Sequence, residues 1–230
     1  MKIGIFADIH GNLIALEKII KYFKRNNVEN IIHLGDTIDI GPYPIETLDY
    51  LKTLDNCEMI MGNHEYYKIT KIPDDVGEEE FKHQSWVNGL LKDEHLNWLK
   101  LFPKIITKEI YGKKLCFLHN NYDDNGNELI NIPFRNTVEL ELYFKNINAD
   151  YIFFGHTHIK HLSNRKNKEY CNPGSAGCTK TNDTQFMILT IRKNELITEY
   201  INIEYDKKQL LNEYENKNIP GKEEIINIFY

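Results

Sequence analysis

Lys2-Ile3-Gly4-Ile5-Phe6-Ala7-Asp8-Ile9-His10-Gly11-Asn12 opens the chain on an apolar run that ends in a carboxylate and an imidazole. Residues Ile3 to Ala7 read as a buried strand, and Leu13, Leu16, Ile19, Ile20 and Phe23 follow at helical spacing. The pattern then repeats. Ile31, Ile32 and Leu34 form a second strand that ends at Gly35-Asp36. Ile45, Leu48, Leu51 and Leu54 mark a second helix, with Pro44 near its start. Met59-Ile60-Met61 is a third strand, ending at Gly62-Asn63-His64. Such a βαβαβ opening predicts a parallel sheet covered by helices.

Further along, residues 73–103 carry acidic and aromatic helical pieces, including Trp86 and Trp98, and read as a helical insert closed by Pro103. Ile105 to Ile110 and Lys113 to His119 predict two strands around a Tyr111-Gly112 turn. Residues 120–136 are polar and Asn-rich and read as a surface loop. Val138, Leu142 and Ile147 suggest a helix. Tyr151 to Phe154 is a strand running into Gly155-His156-Thr157-His158. Residues 185–205 alternate as two strands, and a short helix near 207–216 precedes a tail. No repeat or low-complexity linker divides the 230 residues, so one domain over 1–230 is expected.

Composition narrows the classes. A formal net charge of −6 argues against a broad nucleic-acid footprint. No stretch approaches the ~18 apolar residues of a membrane span, and charge enters too early for a secretory signal, so a cytoplasmic setting is expected. Oligomeric state leaves no trace in the sequence, although Phe229-Tyr230 offers a hydrophobic contact. Of the four cysteines, Cys57 and Cys116 read as core thiols, and a Cys171–Cys178 disulfide is disfavoured in that compartment. His33 reads as a core histidine and His83 and His95 as surface residues, while His161, close behind the last candidate ligand, is a candidate for the rim.

Chemistry gathers after the strands. Asp8-x-His10 alone is weak, because an Asp at a strand-to-helix turn is as readily an N-cap. Asp39, in Gly35-Asp36-x-x-Asp39-x-Gly41, has the same alternative. Two imidazoles after an apolar strand, as in Gly155-His156-x-His158, are costly without partners. His119 repeats the arrangement of strand followed by ligand. In α/β sheets ligands bind at the carboxyl ends of strands, and here Asp8, Asp36, Asn63, His119 and His156 each follow one. The mixture of oxygen and imidazole donors suits Mn, Fe or Zn better than Ca. It also supplies the roughly seven ligands that two metals ~3.5–4 Å apart require.

The series Asp8-x-His10, Gly35-Asp36-x-x-Asp39, Gly62-Asn63-His64-Glu65, His119 and Gly155-His156-x-His158 resembles the calcineurin-like metallophosphoesterase superfamily, from residue 3 to about 175. The resemblance implies a four-layer αββα sandwich with a dinuclear site at the carboxyl edge of the strands. By position, Asp8, His10 and His158 would hold one metal and Asn63, His119 and His156 the other, with Asp36 bridging. The metals, Mn²⁺ or Fe with Zn²⁺ as an alternative, would activate a hydroxide that attacks phosphorus. His64 matches the family's non-ligand histidine, which contacts phosphate with Asn63 and protonates the leaving oxygen. Asp39 matches a carboxylate that orients a histidine, and Asn172-Pro173-Gly174-Ser175 a structural turn. The sequence also departs from the pattern. Ile40 stands where protein phosphatases of the superfamily carry Arg, and Asn120 stands where Gly is usual.

The Gly35-to-Pro44 pattern resembles that of small bacterial phosphoesterases, including phosphodiesterases and diadenosine tetraphosphate hydrolases. A small phosphodiester or nucleotide substrate is therefore the expectation. A phosphomonoesterase or protein phosphatase is the alternative, and a catalytically inactive metal-binding scaffold is the rival of another class. Arg135 is a candidate phosphate contact, although an exposed surface Arg is the first expectation for it. Tyr66, Tyr67 and Tyr122 are candidates for stacking on a base or for packing.

Overall fold

The computed structural model describes residues 1–122, 137–193 and 195–230. The opening unit folds as expected. Strand β1 (Lys2–Phe6) leads into helix α1 (Leu13–Arg25), β2 (Asn30–His33), α2 (Pro44–Lys52) and β3 (Cys57–Met59). β1, β2 and β3 pair in parallel. β3 ends two residues before the expected boundary, because the Met61 N–H turns away to the Pro103 carbonyl. Two long antiparallel strands, β9 (Asp183–Arg192) and β10 (Glu195–Glu204), complete a five-stranded sheet of order β10-β9-β1-β2-β3.

The second sheet contains β4 (Ile105–Ile110), β5 (Lys113–Leu118), β6 (Tyr151–Phe153), β7 (His161–Arg165) and β8 (Lys168–Asn172), in the order β4-β5-β6-β8-β7. Tyr111 and Gly112, both at positive φ, form the expected tight turn between β4 and β5. The β7–β8 hairpin is not visible in the sequence. β7 is polar and half-exposed, β8 buries only its last three residues, and the turn residues, Lys166 and Asn167, are not the usual glycines although both sit at positive φ.

The two sheets face one another across an apolar layer that includes Ile3, Ile5, Leu115, Phe117, Phe153 and Leu189. Helices cover both outer faces. α1 and α2 are joined on the first sheet's side by the insert helices α4 (Glu78–Leu90) and α5 (Asp93–Leu99) and the C-terminal helices α7 (Lys207–Asn216) and α8 (Lys222–Phe229). Helix α6 (Thr137–Tyr143) covers the second sheet. This is the four-layer αββα sandwich. It differs in detail from the sequence reading. α6 buries Leu140, with Phe144 four residues on, while Val138 and Leu142 face solvent. α8 occupies what reads as a tail. Cys57 is half-buried, and all four cysteines are free thiols. Among the described residues no helix is long and apolar enough to cross a membrane.

His33 is buried, as expected. His83 and His95 are buried as well, which corrects their reading as surface residues. Each fastens an insert helix to its surroundings. His83 Nδ1–H donates to the Pro220 carbonyl at 3.2 Å. His95 Nδ1 accepts the Lys92 N–H at 3.0 Å, and its Nε2 lies 3.4 Å from Asp49 Oδ1. Polar neighbours of this kind make burial affordable, and helical periodicity does not reveal them.

Burial lowers the pKa of His83 from 6.5 to about 4. As pH falls below 6.5 the unfolded chain takes up this proton first, so the fold loses stability between pH 6.5 and about 4. The full displacement is worth on the order of 3 kcal/mol at ~1.4 kcal/mol per pH unit. Denaturant melts at pH 7 and pH 5 should therefore show a smaller loss of stability in His83→Gln than in the wild type.

Candidate metal centre

Asn12, not Asp8, caps α1: its Oδ1 accepts the Ala15 N–H at 3.0 Å. Asp8 is thereby freed from the capping role. Its Oδ1 accepts the His156 N–H at 3.1 Å, and its Oδ2 is buried without a hydrogen-bond partner. The backbone is bent to present such side chains. Asp8, His10, Asp36, His156 and His158 all have φ between 45° and 71°, the left-handed region that non-glycine residues rarely occupy. Strain of this kind gathers at functional sites.

Close backbone approach holds the bends together. A Cβ on Gly62 would lie 2.2 Å from Asp36 Oδ1, and one on Gly177 would lie 1.9 Å from the Ile9 carbonyl oxygen. The turn Asn172-Pro173-Gly174-Ser175 braces the loops from behind. Asn172 Nδ2 donates to the Gly155 carbonyl at 2.8 Å, and Ser175 Oγ donates to the Asp8 carbonyl at 2.8 Å.

All seven residues read as ligands meet at one rim, in two groups around Asp36. In the first group, His10 Nδ1–H donates to the Ile38 carbonyl at 3.0 Å, which leaves Nε2 as a lone pair. That nitrogen lies 3.1 Å from His158 Nε2 and 3.7 Å from Asp36 Oδ2. His158 Nε2 is 3.6 Å from Asp8 Oδ1. Burial holds His10 well below its ordinary pKa and lowers His158 to about 4, so both rings are neutral, as metal ligation requires.

In the second group, His119 Nδ1–H donates to the Leu34 carbonyl at 2.8 Å. Its Nε2 then faces Asn63 Oδ1 at 3.0 Å and Asp36 Oδ2 at 3.2 Å. His156 Nδ1 approaches the same Asn63 oxygen at 3.0 Å. Acceptors packed this closely repel unless a proton or a cation lies among them. Asp36 is held well below its ordinary pKa: burial opposes its charge, but His119 and His64 outweigh burial. Burial pushes Asp8 up to about 8, opposed by His119 and assisted by Asp36. The residues present fit a bound metal ion, which these oxygen and nitrogen donors would hold.

His64 stands beside this set. Its N–H donates to Asp36 Oδ1 at 3.0 Å, and its Nε2 is 4.0 Å from Asp36 Oδ2. Its Nδ1–H donates to Asp39 Oδ2 at 2.8 Å. Burial disfavours the imidazolium, yet Asp36 and Asp39 raise its pKa to about 9. Cations at Asp36 would draw that value down toward neutrality.

Two groups in the supporting shell escape sequence reasoning. Glu65 is fully buried. It accepts the N–H groups of Asp36 at 2.9 Å, Thr37 at 2.6 Å and Gly62 at 2.9 Å, tying two ligand loops together. Lys68, with a wholly buried side chain, pairs with Asp39 Oδ1 at 2.8 Å. Both residues lie on α3 (Asn63–Ile69). The sequence signal for Lys68 is its i,i+4 spacing from His64.

The other expectations meet mixed outcomes. Ile40 has φ 60° and walls the cleft. Asn120 Oδ1 accepts the Asn121 N–H at 2.8 Å, so it braces its own loop. Lys104 Nζ lies over the rings of Tyr66 and Tyr122, and Tyr67 packs 5.9 Å from His64. His161 sits on β7 against Ser163, away from the ligand groups. Arg135 lies outside the described residues. Lys180, Ile228 and Phe229 also line the cleft, and no motif announces them.

Residues 1–194 match the sequence profile of the calcineurin-like phosphoesterase superfamily domain. The chain belongs to that superfamily. Membership makes it a metal-dependent phosphoesterase. It is 27% identical to the uncharacterized protein MJ0912 of Methanocaldococcus jannaschii, over 95% of this chain and 93% of that one. It is 26% identical to phosphodiesterase MJ0936 of the same organism, over 85% and 96%. Its fold superposes on the crystal structure of hypothetical protein PH1004 from Pyrococcus horikoshii OT3 with a TM-score of 0.84, at 19% identity and over 100% and 97% of the two chains.

Glu65→Gln would turn an amide N–H₂ toward three backbone N–H groups. Competition with a chromophoric chelator should show metal affinity falling roughly 10–100-fold; unchanged affinity would free Glu65 of this role. Lys68→Met leaves Asp39 charged and buried without its cation, and should cost about 3–5 kcal/mol in denaturant melts. Adding Asp39→Asn should recover much of that loss.

Proposed function

We propose that this phosphoesterase is a two-metal phosphodiesterase. The observation that supports this most directly is that two donor groups, His10–Asp36–His64 and Asp36–His119–His156, share Asp36 on the cleft. Asp8, His10 and His158 would hold one ion and Asn63, His119 and His156 the other, with Asp36 between them. The mixed nitrogen and oxygen donors fit Mn²⁺ or Fe, with Zn²⁺ as an alternative. When bound, the ions supply Lewis-acid charge to the phosphate oxygens and acidify a water.

The chain's own residues then do three things. Asp8 and Asp36 place negative charge where the ions are held. His64, its Nδ1–H tied to Asp39, turns Nε2 toward the centre and hands a proton to the leaving oxygen. Asp39, fixed by Lys68, keeps that ring in one tautomer and one orientation. Ile40 favours a diester. A monoester dianion gains from an added guanidinium at this position, and a diester carries a single charge that needs it less. The phosphodiesterase relative points the same way. Four free thiols support a reducing, cytoplasmic setting.

His64→Ala should keep its metal content and lose about 10²–10⁴ in kcat toward bis(p-nitrophenyl) phosphate. Wild-type turnover in that variant would remove His64 from the mechanism. Wild-type protein should hydrolyse this diester faster than p-nitrophenyl phosphate at equal concentration; the reverse order would make it a monoesterase.

A further inference from the structure

One thiol reaches the candidate metal centre. His10, His158 and Cys178 each bring a donor atom to within 4.8 Å of the other two. Cys178, between β8 and β9, is buried and lines the cleft. Among the described residues the other three cysteines belong to no such group. The backbone carries this thiol on the same turn that braces the first ligand loop. The Cys178 N–H donates to Ser175 Oγ at 2.8 Å, and that hydroxyl donates to the Asp8 carbonyl at 2.8 Å. The Gly177 N–H, one residue earlier, reaches the same carbonyl at 3.0 Å.

The groups around the sulfur call for a cation. His10 spends Nδ1–H on the Ile38 carbonyl, so the Nε2 that lies 3.1 Å from His158 Nε2 is a lone pair. Two imidazole nitrogens bound to one ion at about 2.0–2.1 Å stand roughly 3–3.4 Å apart, so this pair is spaced as co-ligands. Asp8 supplies an independent sign. Its Oδ2 is buried with no hydrogen-bond partner, and its Oδ1 lies 3.6 Å from His158 Nε2. A buried, unpartnered carboxylate oxygen is costly unless positive charge meets it. The sulfur itself is oriented from outside. The Tyr230 hydroxyl lies 3.8 Å from Cys178 Sγ, and Lys207 Nζ pins the Tyr230 carbonyl at 2.9 Å. Outer partners of this kind hold a ligand in its binding orientation.

We propose that Cys178 is a further ligand of the ion held by Asp8, His10 and His158, and that its sulfur widens the preference of this half of the centre for Zn²⁺ over Mn²⁺. The assignment rests on the two-metal reading above and deepens it. As the sulfur–metal bond forms, the S–H bond breaks, its electron pair stays on sulfur, and the proton passes to solvent. No oxidation state changes. Thiolate is a soft donor that selects Zn²⁺, whereas carboxylate and water suit Mn²⁺. The group around His119 and His156 contains no cysteine among the described residues. The two halves of the centre therefore differ, one with sulfur and one without.

Titration of Co²⁺ into chelator-treated protein tests this, with absorbance followed and bound metal counted by equilibrium dialysis. Wild-type protein should bind two ions and develop a near-ultraviolet sulfur-to-cobalt charge-transfer band. Cys178→Ser should still bind two ions and lack the band. Competition dialysis should show the ratio of Zn²⁺ to Mn²⁺ affinity falling at least tenfold in that variant. Cys178→Ala keeps the test valid if the serine variant fails to fold, and it should behave in the same way. Two bound ions without the band in wild-type protein would overturn the sulfur ligand alone. A band that survives in Cys178→Ser belongs to another thiol and would overturn it equally. An unchanged affinity ratio in both variants would overturn the preference. Fewer than two bound ions together with the band supports the sulfur ligand and overturns the two-metal reading. No bound Co²⁺ would overturn both.

Discussion

Electrostatic crowding at the Asp36 carboxylate is the constraint on which the site's architecture turns. Asp36 Oδ2 lies 3.2 Å from His119 Nε2 and 3.7 Å from His10 Nε2, with a second imidazole or amide oxygen close behind each. The outer nitrogens of His10 and His119 spend their protons on backbone carbonyls. When these rings are neutral, what they turn inward is a lone pair. A protein core has no reason to gather such groups unless positive charge compensates them. Asp8 adds a buried carboxylate oxygen with no partner at all.

Much of the surrounding fold is arranged to maintain this crowding. Six parallel strand ends, three from each sheet, deliver their loops to one rim. Five of the seven candidate ligands take left-handed backbone conformations. Glu65 clamps two loops from beneath, and the Asn172–Ser175 turn clamps the others from behind. The His64–Asp39–Lys68 chain extends the same logic outward. A buried lysine fixes a buried carboxylate, which fixes the histidine facing the cleft.

The convergence of the candidate ligands was legible in the sequence because each lies just after an apolar strand run, and strand ends of a parallel sheet converge. Asp8 shows the limit of local reading. Its spacing fits a helix cap, and only the structure hands that role to Asn12. Groups that act through tertiary contact left weaker marks. Lys68 looks like an ordinary helical lysine until its side chain is found wholly buried against Asp39. His83 sits in an acidic, weakly amphipathic helix, so nothing in its spacing announces burial. Helix α8 is short and polar at its start, so it reads as a tail. The β7–β8 hairpin escaped for a related reason: β7 is a polar, half-exposed edge strand and carries little hydrophobic signal.

The most direct test of the account is calorimetric titration of Mn²⁺ into chelator-treated protein at pH 7, repeated in buffers of different ionisation enthalpy. Two equivalents should bind per chain. Binding should release protons, because the Asp8 carboxyl, pushed up to about 8, gives up its proton to the ion. A stoichiometry of one or fewer would contradict a centre built from two donor groups around Asp36.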